Sequence, residues 1–203
     1  MEAWLRLPMS TRERIIDTAV QLFNEEGTAA VSTNHIAKAA GISPGNLYYH
    51  FRNKEEIIRA IYARLRPIWE ATVSVPTDRL PTLADLERII DDHFRILWEY
   101  RFFYREMPAL LRRDPELLAS YHEVREAGLA NVEGLLRIFT QVGVLDVADP
   151  DQALPELARI IWILADFWFP FAELDRLTGG HVDLQDGRAL ILRVLSPYYA
   201  NDP

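Results

Sequence analysis

The chain has 203 residues, 49% of them hydrophobic, with no cysteine and a formal net charge of −8. That length supports a core of its own in one large domain, or in a small one joined to a larger one, and the missing thiols exclude a disulfide framework or a zinc–thiolate site. The longest apolar run, Ile160 to Ala172, holds Asp166 and Pro170 within 13 residues, short of the ~18 that a membrane span requires, so a buried helix and no membrane partner are expected.

Residues 1–8 read as a loose extension without a secretory signal, and a cytoplasmic protein is expected. Ser10 and Glu13 have capping-box spacing ahead of Ile15, Ile16, Ala19, Val20, Leu22 and Phe23, and Gly27 ends this first helix. Ser32 caps a short second helix carrying Ile36, Ala37 and Ala40, which Gly41 terminates. Ser43 caps a third with Pro44 at its first position, where a missing N–H costs nothing. Asn53 and Glu56 repeat the capping pattern before Ile57, Ile58, Ile61, Tyr62 and Leu65, and Pro67 is expected to kink or end this fourth helix.

Beyond the connector from Pro76 to Pro81 the helices lengthen. Leu83 to Arg105 has apolar residues at three-to-four spacing until Met107-Pro108 interrupts it. Asp114-Pro115 opens a helix bearing Leu118, Tyr121, Val124, Leu129, Val132, Leu136 and Phe139, which Gly143 stops. Two more follow, from about Ala153 to Leu177 and from about Leu184 to Tyr199. No segment alternates as a half-buried strand does, so the fold class is all-α. The expected domains are 1–62, an extension plus a three-helix head, and 63–203, a larger helical body reached through the fourth helix.

Two short helices joined by Gly41, Ile42 and Ser43 have the helix-turn-helix arrangement, in which the second helix enters the DNA major groove. Leu47 and Phe51, four apart, face inward, and Tyr48, Tyr49 and His50 turn wholly or partly outward, an aromatic surface suited to sugar, phosphate and base edges. The acidic balance opposes DNA binding at first sight. Residues 1–60, however, carry seven basic and seven acidic groups, so the entire excess of negative charge lies in the body.

The stretch from Ser32 to Lys54, STNHIAKAAGISPGNLYYHFRNK, resembles the DNA-binding signature of TetR-family regulators, with one visible departure at Thr28, where the family often has an aromatic. The resemblance implies that Thr33, Tyr48 and Lys54 hold phosphates, that Pro44, Gly45, Asn46 and Tyr49 approach the bases, and that His50 lies at the backbone edge. Helix starts at Ser32, Ser43 and Asn53 offer free N–H groups to phosphate, and Asn46 is suited to reading an adenine. It further implies a ligand-released homodimeric repressor on double-stranded, palindromic operator DNA.

For the body, an apolar or aromatic effector pocket is expected from Trp69, His93, Phe94, Trp98, Phe102, Phe103, Met107, Tyr121 and His122. A dimer surface is expected from Trp162, Phe167, Trp168, Phe169 and Phe171. In both sets ordinary core packing is the competing reading. No metal, cofactor or catalytic residue is expected: His122-Glu123 lacks a second histidine at position 126, and no nucleophile elbow or phosphate-cradling glycine loop occurs. The competing functions are a TetR-like interaction module and an activator acting without an inducer pocket.

Overall fold

A computed structural model describes residues 9–200, so the extension expected at residues 1–8 lies outside the described residues. Ser10 caps α1 (Thr11–Glu26) as its spacing predicts: Glu13 N–H donates to Ser10 Oγ at 3.2 Å, and the Glu13 carboxylate accepts from Ser10 N–H at 2.9 Å. Then come α2 (Thr33–Ala39), α3 (Pro44–His50) and α4 (Lys54–Thr72), the last opened by Asn53, whose Oδ1 accepts Glu56 N–H at 2.8 Å. Ile15, Ile16 and Phe23 of α1, Ile36 of α2, Leu47 of α3 and Ile57 and Ile61 of α4 are buried and give this head its core.

The chain divides into two compact units between Leu65 and Arg66, within α4. Pro67 does not end that helix, which continues to Thr72. Pro67 and the residue a turn before it, Ala63, both face solvent, so the carbonyl that loses its helical N–H partner can be hydrated.

The second unit contains α5 (Leu83–Glu99), α6 (Arg101–Arg113), α7 (Pro115–Gln141), α8 (Pro150–Leu177), α9 (Leu184–Leu195) and a closing 3-10 turn (Ser196–Tyr198). The single helix expected from Leu83 to Arg105 is two, broken at Tyr100, and Pro108 lies inside α6 rather than interrupting it. Helix α6 is covered by α5, α7 and α8. Phe102, Phe103 and Tyr104 are all buried, which consecutive residues of a straight surface helix, 100° apart, do not achieve against one neighbour. Pro108 itself is exposed.

Helix α8 packs on α6, α7 and α9, and α9 also packs on α5. A Cβ on Gly187 would lie 2.5 Å from ring atoms of both Phe94 and Trp168, so only glycine lets α9 approach that closely. Arg188, next along α9, donates to Asp91 and, at 3.3 Å, to Glu87 of α5. At the start of α7 the inward residue is Leu117, and Leu118, expected on the buried stripe, is exposed.

Candidate nucleic-acid interface

The turn between α2 and α3 is set by backbone hydrogen bonds. Gly41 has φ 66°, its N–H donates to Lys38 O at 3.2 Å, and Ile42 N–H donates to Ala37 O at 3.0 Å. This double bond is a Schellman closure, which needs a left-handed residue at the position Gly41 occupies. The hydroxyls of Ser32 and Ser43 accept from His35 and Asn46 N–H, each at 3.2 Å, so both short helices start where their serines predict.

Leu47 and Phe51 are buried and fix the rotation of α3. With those two inward, Pro44, Gly45, Asn46, Tyr48 and Tyr49 are exposed and His50 is half-buried. Tyr49 is 84% exposed, a large ring left in water with the edge of His50 beside it, centroids 5.1 Å apart. Thr33 Oγ1 and Tyr48 Oη are 3.0 Å apart, so the two hydroxyls assigned to phosphate by resemblance form one polar point bridging α2 and α3. The expected reading face is thus brought together on one side of the head.

Lys54 is placed differently from the rest. Its Nζ donates to the carbonyls of Thr28 and, at 2.9 Å, of Val31, in the turn between α1 and α2. Thr28, the position departing from the family pattern, is itself buried. Arg12, which sequence reasoning passed over, stands with its guanidinium carbon 5.0 Å from the centroid of the Phe51 ring. No periodicity announces that contact, since the two residues are far apart in sequence.

In the second unit, the residues expected to line one pocket differ in burial and partners. Phe94, Phe102, Phe103 and Met107 are core. Trp69 meets Tyr104 edge-on, centroids 6.5 Å apart. Trp98 is 41% exposed, between Phe169 and the Arg101 guanidinium. His122 is on the solvent side of α7, 3.8 Å from Glu126, and does not join the set, because its neighbour Tyr121 is the residue turned toward α8. A cavity of about 510 Å³ opens between α5 and α9, lined by Asp91, Phe94, Arg95, Leu184, Gln185 and Arg188.

Of the five residues expected at a dimer surface, Trp168 and Phe169 are buried within their own chain and Trp162 is half-buried, leaving Phe167 and Phe171 exposed. The large exposed apolar residues of α8 are Ile160, Ile163, Phe167, Phe171, Leu174 and Leu177, at spacings of three and four, hence one stripe.

Sequence reasoning gave Asp166 no role beyond interrupting an apolar run. It is buried in α8 and accepts from Tyr121 Oη at 2.8 Å. Burial pushes its carboxyl up to about 6, against the lowering effect of Tyr121, Trp162 and Arg125, and burial beside that carboxylate raises the Tyr121 phenol. Among the described residues His93 Nε2 is enclosed without a hydrogen-bond partner, and desolvation lowers that imidazole to about 4. The two groups pull in opposite directions. Between about pH 4 and 6 folded Asp166 retains a proton that the unfolded chain has lost, so rising pH costs stability; His93 gains stability as pH rises from about 4 to 6.5. Asp166→Asn is therefore expected to stabilise the fold by roughly 1–3 kcal/mol at pH 7.5, an advantage that shrinks toward pH 4. Urea titrations of parent and variant across that range measure the difference; a variant less stable at every pH contradicts it.

Residues 15–61 match the family model described as bacterial regulatory proteins, tetR family, and residues 69–202 match that described as bacterial transcriptional repressor. The chain is 40% identical over 52 residues to the HTH-type transcriptional regulator AcrR of Shigella flexneri; the match covers 26% of this chain and 24% of that protein, about a quarter of its length. A TetR-family regulator structure from Marinobacter aquaeolei VT8 superposes with TM-score 0.84 at 33% identity, covering 95% of this chain and 92% of that one. SmeT, the repressor of the Stenotrophomonas maltophilia multidrug efflux pump SmeDEF, superposes with TM-score 0.66 at 25% identity, covering 95% and 92%, and a complex of SmeT with triclosan is also similar.

Proposed function

The chain belongs to the TetR family of bacterial transcriptional regulators, and we propose that it is a cytoplasmic, homodimeric repressor that reads a palindromic operator with α3 and is released by a small apolar or aromatic effector. One observation carries the DNA-reading half of this proposal: Asn46, Tyr48 and Tyr49 stand in solvent on a helix whose Leu47 and Phe51 are sealed in the core. Tyr48 touches α2 through Thr33, while the face as a whole points out of its own core and matches the chemistry of a major groove, where amide and hydroxyl groups meet base edges. Ser32, Thr33, Ser43, Pro44, Gly45 and His50 surround it as phosphate and groove contacts.

One head makes few contacts, and two-fold pairing places two reading helices on half-sites about 34–36 Å apart or at multiples of that distance. The outward stripe of α8 supplies an apolar surface for the pairing. Release by an effector is supported by the likeness to SmeT, which binds triclosan in its complex, and by the aromatic content of α5 and α6.

Purified protein should enrich a two-fold symmetric sequence from a pool of random duplexes, with a fixed spacing between its halves. A pool statistically unchanged after repeated rounds, effector being absent, would overturn the reading.

A further inference from the structure

Resting on the effector half of the proposal above, we infer that the cavity between α5 and α9 is the effector site and that it takes a carboxylate carried on an apolar body, aryl or acyl. Its volume of about 510 Å³ lies within the range of small-molecule sites, and its walls supply both chemistries. Phe94 is buried, its ring edge-on to Trp168 with centroids 5.4 Å apart, and Leu184 opens α9 half-buried, so the two give the cavity an apolar floor. Arg95, Gln185 and Arg188 contribute donors, and Asp91 is the one acid of the lining.

The guanidinium groups decide the sign of the ligand. Each has five N–H donors on three nitrogens. Among the described residues Arg188 gives Nε to Asp91 and Nη2, at 3.3 Å, to Glu87, which leaves Nη1; Arg95 gives Nη2 to Asp92, which leaves Nε and Nη1. A cationic ligand would have to compete with Arg188 for Asp91, whereas an anion meets donors that are spare. The Arg95 side chain is 71% exposed, so the carboxylate end of the ligand stays hydrated while its body covers Phe94 and Leu184. The walls are set before any ligand arrives: Gly187 lets α9 close onto Phe94 and Trp168, and Arg188 clamps it to α5. Because α9 packs on both α5 and α8, a ligand wedged between α5 and α9 bears on the helix whose outward stripe is proposed to pair the two chains.

Calorimetric titration of the full chain without DNA tests the site, with naphthoate and octanoate as probes and the primary amide of each as its uncharged counterpart. At least one carboxylate should bind at one site per chain, about tenfold or more tighter than its amide. Arg95→Gln, a change on an exposed side chain, should weaken that carboxylate about tenfold and its amide less than about twofold. Arg188→Gln should do the same, and Arg193→Gln, exposed on α9 and outside the lining, should change neither. If Arg188→Gln does not fold, Arg95→Gln alone decides. Equal affinity for carboxylate and amide, binding indifferent to Arg95→Gln, or no saturable binding of either carboxylate overturns the site. Gel shifts read the regulation separately: the carboxylate that binds should lower operator affinity about tenfold in the parent and much less in Arg95→Gln. Binding without that loss would keep the site and overturn its role as the effector site. A parent that prefers no operator would instead remove the DNA-reading proposal, while the calorimetry still decides the site.

Discussion

Alanine at Asn46 or at Tyr49 is expected to weaken binding to the selected operator by ~1–3 kcal/mol, roughly tenfold to a hundredfold, without altering the melting temperature. The magnitude follows from what each side chain can do in a groove. An asparagine amide can accept from adenine N6 and donate to N7 at once, a pairing no other base pair reproduces, whereas a tyrosine at this exposure offers an apolar ring and a hydroxyl to base and sugar edges. The null effect on folding follows from exposure, because neither side chain is part of the core and Tyr49 is 84% exposed. Gel-shift titrations with the operator and an unrelated duplex in parallel distinguish readout from general attraction. The operator affinity should fall toward that of the unrelated duplex, which should itself change little. Equal losses on both duplexes would mean that these residues serve affinity without selecting sequence.

Introducing glutamate at Phe167 and Phe171 together should convert the proposed dimer to monomer. Both rings are exposed on the outward stripe of α8, 46% and 67% respectively, so neither belongs to the buried core of its own chain. Burying a phenylalanine contributes about 1.5–3 kcal/mol, and two-fold symmetry counts each position twice. With only about half to two thirds of each ring left to bury, the two rings together then contribute at least about 3 kcal/mol, a hundredfold or more in the dimer dissociation constant, before the cost of burying a carboxylate. Sedimentation equilibrium reads the outcome directly, and operator affinity should fall with it because two heads no longer bind as one. A variant that sediments as a dimer would place the interface elsewhere. The same changes at Trp168 and Phe169 should unfold the second unit instead, since those rings pack against Phe94 and Trp98.

The contrast between these two aromatic pairs shows where the sequence is legible and where it is not. Helix ends in the head are written in single residues with specific backbone roles: Ser10 with Glu13, Ser32, Ser43 with Pro44, and Gly41 at positive φ all act where their chemistry places them. The outward face proposed to read DNA follows from Leu47 and Phe51, because two apolar residues four apart on a polar helix fix its rotation. In α8 this rule has nothing to act on. Phe167, Trp168, Phe169 and Phe171 make the helix apolar all round, so its inward and outward faces are distinguished only by the neighbours that cover one of them.

The break between α5 and α6 was hidden for a related reason. Tyr100 carries neither glycine nor proline chemistry and the apolar spacing runs on through it, while the prolines that suggested ends, Pro67 and Pro108, lie on exposed faces where a lost N–H is tolerated. Contacts distant in sequence, such as Lys54 with Thr28 and Val31, Arg12 with Phe51, and Tyr121 with Asp166, leave no periodic trace at all.

Because the chain has no cysteine, a single introduced thiol reports one position without background. The most direct test of the reading face pairs Tyr49→Cys with operator duplexes carrying a thiol tethered to one base at a time, and uses Glu126→Cys, exposed on α7, as the control. A major-groove position for α3 predicts disulfide cross-links at two base positions related by the operator's two-fold axis, with none from the control. Cross-links from Glu126→Cys in the same pattern, or none from Tyr49→Cys on an operator that still binds, would contradict it.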